Sequence, residues 1–105
     1  MKTRSRLVGA GMAVAILLGT VGVSAAQATT VYVEGGVWSY GVRSGGTYGT
    51  YGEVYSRYNH PSRMHRATAC GLWGCQGSNW VRGTVPAEKI QPAKGSGNLA
   101  YYNVS

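Results

Sequence analysis

The chain has 105 residues, with ten basic and three acidic side chains and a formal net charge of +7. It contains 17 glycines, eight tyrosines and three tryptophans but no phenylalanine. A chain of this length forms one small domain at most, which excludes a multidomain protein. The glycine-rich and tyrosine-rich composition predicts a turn-rich β protein rather than a helical one.

The N-terminus has the three parts of a secretory signal peptide: a basic start, an uncharged apolar stretch and then small residues. Small side chains at Ala26 and Ala28 suit signal peptidase, so we predict a signal peptide over residues 1–28, with cleavage after Ala26 as the alternative. A membrane anchor is the competing interpretation, but it needs about 20 apolar residues, and glycines interrupt this stretch. The sequence therefore predicts a secreted basic domain over residues 29–105.

The rest of the chain consists of short β-prone stretches bounded by glycine, proline or other turn residues. Trp38, Tyr40 and Val42 fall on one face of such a stretch, which is the pattern of a half-buried strand. Residues 53–58 also fit one helical face, but their β-prone neighbours favour a strand. The predicted strands, about six in number, cover residues 31–33, 37–43 with a continuation at 47–51, 53–58, 65–69, 79–85 and 99–104.

Short strands separated by turn residues predict an all-β fold, either a small antiparallel β-sandwich or a barrel. Cys70 and Cys75 enclose Gly-Leu-Trp-Gly. In a secreted chain this pair favours a disulfide, and the glycines allow a turn tight enough for the two sulfur atoms to meet. We interpret the pair as a structural crosslink between two strands.

His60 and His65 are the only histidines. A metal site needs three or four converging ligands, so we expect no metal and no other cofactor, and we expect His65 to be a hydrogen-bonded packing residue. A hydrolase would need a nucleophile with its base or two carboxylates in one cleft. The three glutamates lie in separate segments, so we expect no catalytic residues and a non-enzymatic protein.

Arg57, Arg63 and Arg66 surround a predicted turn at Pro61, with Tyr58 among them. The planar donor fork of arginine matches phosphate oxygens, so the group is a candidate site for a pyrophosphate or an anionic lipid head group. The alternative is a solvated turn with ordinary surface charges, which the spacing alone favours. Nucleic acid is not an expected partner, because the protein is predicted to be exported.

Four motifs in a fixed order resemble the lactococcin 972 family of secreted bacteriocins, and together they cover most of residues 34–104. The family pattern has a Gly-x-Trp-x-x-Gly start, a Ser-x-Tyr-x-His stretch, a His-x-Ala-Thr strand and a Tyr-Tyr-Asn end. The matching residues are Gly36, Trp38 and Gly41, then Ser56, Tyr58 and His60, then His65, Ala67 and Thr68, and finally Tyr101, Tyr102 and Asn103.

The resemblance implies a β-sandwich, secretion, and inhibition of related Gram-positive bacteria. It also implies interference with septum formation through binding of the cell-wall precursor lipid II, rather than pore formation. The expected partners are therefore the bacterial envelope, lipid II and an immunity protein in the producer. No membrane span is expected in the mature form, whose expected location is extracellular.

This sequence departs from the family pattern in one region. The Cys70–Cys75 turn is not part of the pattern, and Trp80 precedes Gly83 where the family tends to have a tryptophan after the glycine. No lipid II-binding residues carry over from the family. On their chemistry alone, the candidate target-contact residues are Arg57, Tyr58, Arg63, Arg66 and Trp73.

A second functional hypothesis belongs to a different class. A crosslinked aromatic loop is also how small secreted inhibitors present themselves to a partner protein. The alternative is therefore a secreted protein-binding module, either an enzyme inhibitor or a developmental signalling protein, without antibacterial activity. Because unrelated functions share the same folds, the fold alone cannot choose between these two hypotheses.

Overall fold

The computed structural model describes residues 22–44 and 51–105, and all the regular secondary structure in these ranges is β-strand. The strands are β1 (Val23–Ser24), β2 (Thr29–Val33), β3 (Gly36–Arg43), β4 (Glu53–Asn59), β5 (His65–Gly71), β6 (Gly74–Gly77), β7 (Ala87–Pro92) and β8 (Leu99–Val104).

The strands form two four-stranded sheets in which every pairing is antiparallel. Sheet 1 has the order β1-β8-β5-β6, and sheet 2 has the order β2-β3-β4-β7. The inner faces of the sheets pack against each other, with Trp38 of sheet 2 in contact with Tyr102 of sheet 1. The predicted all-β antiparallel sandwich is confirmed, with eight strands in the described ranges instead of about six.

Residues 53–58 form a strand, as predicted, and not a helix. In β4 the side chains of Val54, Ser56 and Tyr58 are fully buried, while Tyr55 and Arg57 are only partly covered. This period of two is the signature of a strand with one face on the core. It also separates the buried tyrosine of β4 from the arginine beside it in the sequence.

The prediction of a strand over residues 79–85 is wrong. Only Val81 makes a β-bridge there, to His65. Thr84 has a φ of 74°, a left-handed conformation that a regular strand cannot contain. Across the cysteine turn, β5 pairs with β6 in a tight hairpin. Cys70 lies directly opposite Cys75 in this pairing.

Strand β7 was not predicted. Its sequence, Ala-Glu-Lys-Ile-Gln-Pro, is poor in β-branched and aromatic residues, and prolines stand before it and at its end. It is an edge strand that pairs only with β4 in sheet 2. Prolines are tolerated at the ends of an edge strand, so the chain remains extended where the sequence indicated a stop.

Two predictions on the N-terminal half lie largely outside the described residues. These are the continuation strand at 47–51, of which only the turn residue Tyr51 is described, and the signal peptide as far as residue 21. Residues 22–28 are described, and part of this segment packs on the domain. Val23 and Ser24 pair with β8, and the fully buried Ala25 donates its N–H to the carbonyl of Asn98 at 3.0 Å.

The core combines aromatic rings with alanine rather than large aliphatic side chains. Four rings form an aromatic column through both sheets: Trp38 lies 4.9 Å from Tyr102, Tyr102 lies 4.8 Å from Tyr58, and Tyr58 meets His65 edge-on at 5.6 Å. The rings fit between the sheets because small residues surround them. The fully or almost fully buried alanines are Ala25, Ala67, Ala69, Ala87, Ala93 and Ala100.

One hydroxyl connects the two sheets in this core. The indole N–H of Trp38 donates to Oγ of Ser56 at 2.9 Å, and the same hydroxyl donates to the carbonyl of Tyr101 at 2.9 Å. A buried donor or acceptor without a partner costs about 1–3 kcal/mol. The hydroxyl of Ser56 therefore allows an aromatic ring with a polar atom to lie in the core.

Replacement of Ser56 by alanine should lower the free energy of unfolding by about 1–3 kcal/mol, because it leaves the buried Trp38 N–H without its acceptor and removes one hydrogen bond to the Tyr101 carbonyl. Urea unfolding followed by tryptophan fluorescence measures the change. The matched control is Ser39→Ala, which removes an exposed contact to Thr30 and should cost less than about 0.5 kcal/mol. Equal effects at the two serines would contradict this account of the core.

The packing of residues 22–28 predicts a stability difference between two lengths of the chain. A chain that begins at Thr29 lacks β1 and the buried Ala25, so it should unfold at a free energy about 1–2 kcal/mol lower than a chain that begins at Gly22. Urea midpoints of the two purified forms test this. Cleavage after Ala28 stays a prediction. Equal stabilities would mean that such cleavage removes no contact that stabilises the fold.

Candidate functional site

The topology brings three turns together at one end of the sandwich, which we call the three-turn end. It consists of the β2–β3 turn at Glu34 and Gly35, the β4–β5 turn over residues 60–64 and the turn over residues 82–86 that precedes β7. The N–H of Thr84 donates to the carbonyl of His60 at 2.7 Å. Gly83 lies directly against the backbone of Ser62, where a Cβ atom would collide. The second and third turns are thus in direct contact.

His60 connects the first turn to the second. Its Nδ1 accepts hydrogen bonds from the backbone N–H groups of Ser62 and Arg63, at 3.1 and 3.0 Å. The ring proton must then be on Nε2, which donates to the carbonyl of Glu34 at 3.0 Å. Gly35 leaves room for this ring: its φ is +84°, and a Cβ atom there would come within 3.1 Å of Nε2.

His65 is fully buried and connects the second turn to the third. Its Nδ1 lies 2.7 Å from the carbonyl of Arg63, and its Nε2 lies 2.6 Å from the carbonyl of Val85. Carbonyl oxygens only accept, so in each of these contacts the ring nitrogen is the donor. The prediction that His65 is a hydrogen-bonded packing residue is confirmed.

Two tyrosine hydroxyls complete the polar network under the three-turn end. Tyr58 donates to the carbonyl of Val33 at 2.9 Å, and Tyr102 donates to a carboxylate oxygen of Glu34 at 2.7 Å. Burial raises the pKa of both tyrosines above the usual 10.0, and the negative charge of Glu34 raises both pKa values further. Both hydroxyls therefore remain protonated donors over the whole neutral range.

Backbone strain is concentrated on the same turns. Among the described residues, Glu34 and Thr84 are the non-glycine residues with positive φ, at 49° and 74°. A β-branched residue such as Thr84 is a true outlier in this region, and each such residue costs about 1–3 kcal/mol. Strain of this kind is found preferentially at functional sites, which makes the three-turn end the first candidate for a binding surface.

The structure does not bring the three candidate arginines together. Arg57 lies on the outer face of sheet 2, 3.8 Å from Glu88. Arg66 lies on the outer face of sheet 1, with its guanidinium 5.8 Å from the ring centre of Trp80. They are separated because consecutive strands β4 and β5 belong to different sheets. Only Arg63, which is exposed, lies on the three-turn end itself.

The other two candidate contact residues also differ in their surroundings. Tyr58 is fully buried beneath the three-turn end and offers no surface to a partner. Trp73 is 54% exposed and lies at the tip of the β5–β6 hairpin, at the opposite end of β5 from His65. Arg82, which is exposed on the third turn, was not among the candidates. No pattern along the chain could indicate that the second and third turns meet.

The crosslink between Cys70 and Cys75 is confirmed. The same hairpin is also held by Gln91 of β7, which is fully buried. The side chain of Gln91 accepts from the N–H of Trp73 at 2.8 Å, and it donates to the carbonyls of Ala69 and Gly74 at 2.7 and 2.6 Å. A buried polar side chain with three such bonds fixes the hairpin against the sheet beside it.

Each glutamate has a different interaction. Glu34 accepts from Tyr102, Glu53 pairs with Arg43 at 2.8 Å, and Glu88 lies near Arg57. Across residues 22–44 and 51–105, no three His, Cys, Asp or Glu side chains are grouped as metal ligands would be. Over the same ranges, no helix has the length and apolarity to cross a membrane.

These features define a small disulfide-linked β-sandwich with a polar aromatic core, basic turns at one end and an exposed hairpin at the other. The family model described as Bacteriocin (Lactococcin_972) matches residues 34–102. The match covers more than half of the chain, so the chain belongs to this bacteriocin family, and the resemblance seen in the sequence is confirmed. No curated protein and no solved structure matches the chain.

The raised pKa values of Tyr58 and Tyr102 predict a loss of stability at alkaline pH. Below pH 10 both residues are protonated whether the chain is folded or unfolded. Above pH 10 only the unfolded chain loses these protons, so the free energy of unfolding should fall by about 1.4 kcal/mol per pH unit for each tyrosine.

Replacement of Tyr102 by phenylalanine should remove one tyrosine's share of this slope, between pH 10 and the raised pKa of the folded state. Urea unfolding at a series of pH values measures the slope. Tyr32→Phe is the control, because Tyr32 is 83% exposed and its change should leave the slope as it is. A slope unchanged by Tyr102→Phe would contradict the role given to burial and Glu34.

Proposed function

We propose that this protein is a secreted, non-enzymatic bacteriocin that acts from outside on the envelope of related Gram-positive bacteria, where it binds lipid II and blocks septum formation. Membership of the bacteriocin family, shown by the match over residues 34–102, is the observation that carries this proposal. The separate interactions of Glu34, Glu53 and Glu88 support the absence of catalysis. The basic composition supports an anionic target.

The three-turn end is the surface we assign to lipid II. Arg63 and Arg82 are exposed on two turns that contact each other, and a guanidinium binds phosphate or carboxylate through two parallel hydrogen bonds. The hydrogen bonds of His60 and His65 and the contact between the two turns hold the backbone of this surface in place before any ligand binds. A preorganised site of this kind loses little entropy on binding.

The first test is a calorimetric titration of the protein recovered from culture medium against lipid II in detergent micelles. The double variant Arg63→Gln/Arg82→Gln should weaken binding at least tenfold, because each lost charge-assisted hydrogen bond is worth about 1.5–3 kcal/mol. Arg57→Gln is the matched control, since it removes one arginine from the outer face of sheet 2, and it should change the affinity by less than twofold. Circular dichroism verifies that the variants are folded.

Two outcomes of this titration would change the proposal in different ways. Lipid II binding that is equal in the double variant and the parent would remove the assignment to the three-turn end. Undecaprenyl pyrophosphate alone, used as a second titrant, separates contacts to the phosphates from contacts to the sugar and peptide. Absence of any lipid II binding would overturn the proposed target.

A cellular measurement tests the activity itself. Dividing Gram-positive cells exposed to the protein should stop forming septa while their membrane potential is unchanged. Rapid loss of potential would contradict a wall-precursor mechanism and indicate pore formation. No effect on any strain would instead support the alternative of a protein-binding module, such as an inhibitor or a developmental signal.

A further inference from the structure

The end of the sandwich opposite the three-turn end has a cluster of exposed apolar side chains, which we call the hairpin end. Leu72 and Trp73 form the tip of the β5–β6 hairpin and are 62% and 54% exposed, and Tyr51 nearby is 60% exposed. Tyr51 and Leu72 line an open hollow of about 300 Å³ together with Pro92 and Lys94. Adjacent large apolar side chains at a protruding turn mark an interaction surface.

The backbone of the hairpin end is held rigidly although the side chains of Leu72 and Trp73 are more than half exposed. The Cys70–Cys75 crosslink closes the hairpin, and the N–H of Leu72 donates to the carbonyl of Pro92 at 2.9 Å. The neighbouring Gln91, which is buried, accepts a hydrogen bond from the backbone N–H of Trp73. The tip therefore keeps its shape on contact with a partner, which reduces the entropy lost on binding.

The charges beside this tip favour an anionic partner. Lys94 lines the same hollow as Leu72. The other charged pair in this region, Arg43 with Glu53, neutralises itself at 2.8 Å. A protruding tip with tryptophan, leucine and tyrosine beside a lysine has the composition of protein segments that lie at the membrane–water interface.

We propose that the hairpin end docks on an anionic lipid bilayer, with Leu72 and Trp73 inserted into the interfacial layer and Lys94 against the anionic head groups. This docking goes beyond the proposed binding of lipid II and does not require it. It uses a different surface from Arg63 and Arg82, so each can fail without the other.

The test uses vesicles that contain no lipid II, made of phosphatidylcholine with 30% phosphatidylglycerol. The protein recovered from culture medium should bind them at least tenfold more strongly than vesicles of phosphatidylcholine alone, measured by co-sedimentation, and salt should weaken the binding. The double variant Leu72→Ser/Trp73→Ser should lose at least tenfold in the partition coefficient. Lys94→Gln should lose severalfold.

Two controls keep the result specific to the hairpin. Tyr32→Ser removes an even more exposed aromatic ring from β2 and should change vesicle binding by less than twofold. In a Trp80→Phe background, brominated lipids should quench the fluorescence of the wild-type hairpin, and Trp73→Phe should abolish that quenching while retaining an apolar ring at the tip. The buried Trp38 provides the unquenched reference.

Several results would overturn the docking proposal. They are absence of vesicle binding, binding that the double serine variant retains in full, and binding without quenching from Trp73. If vesicles are not bound but the serine variant loses antibacterial activity, the tip contacts a protein or lipid II instead. If vesicles are bound but lipid II is not, membrane docking stands and the proposed target fails.

Discussion

The fold depends on how this chain places polar aromatic rings inside a small sandwich. Trp38, Tyr58 and Tyr102 replace the large aliphatic residues of an ordinary core, and each ring brings a hydrogen-bonding atom into the interior. A buried polar atom must find a partner, so Ser56 bridges Trp38 to the other sheet and Glu34 accepts from Tyr102. The hydrogen bonds of the core therefore fix the relative position of the two sheets, in addition to the burial of apolar surface.

This constraint explains where the family signature lies. Trp38, Ser56, Tyr58 and His65 are all buried, and each is held by a hydrogen bond to another element. The hydrogen bonds of the two histidines also hold the backbones of the three turns together at one end of the sandwich. The signature residues thus maintain the architecture, while exposed residues that are not part of the signature, such as Arg63 and Arg82, remain available for contact with a target.

Strand β5 sets the distance between the two proposed binding surfaces. It begins at His65 under the three-turn end and finishes at Gly71 at the base of the hairpin, and it is seven residues long. At about 3.3 Å per residue, the surfaces are roughly 20 Å apart. A molecule docked on a bilayer through Trp73 would hold Arg63 and Arg82 that far above the lipid.

The sequence alone determined what depends on local pattern. Alternation predicted β3 and its buried face, and β-prone composition predicted β4, β5 and β8. The cysteine pair in its glycine-flanked turn predicted the crosslink. The sequence pattern missed β7, because an edge strand held between prolines needs little strand propensity of its own. Only the tertiary structure decided that Arg57 and Arg66 lie on opposite faces and that the turns of Arg63 and Arg82 contact each other. The assignment of consecutive strands to different sheets, and the contacts between distant turns, arise from packing across the core, which no spacing along the chain records.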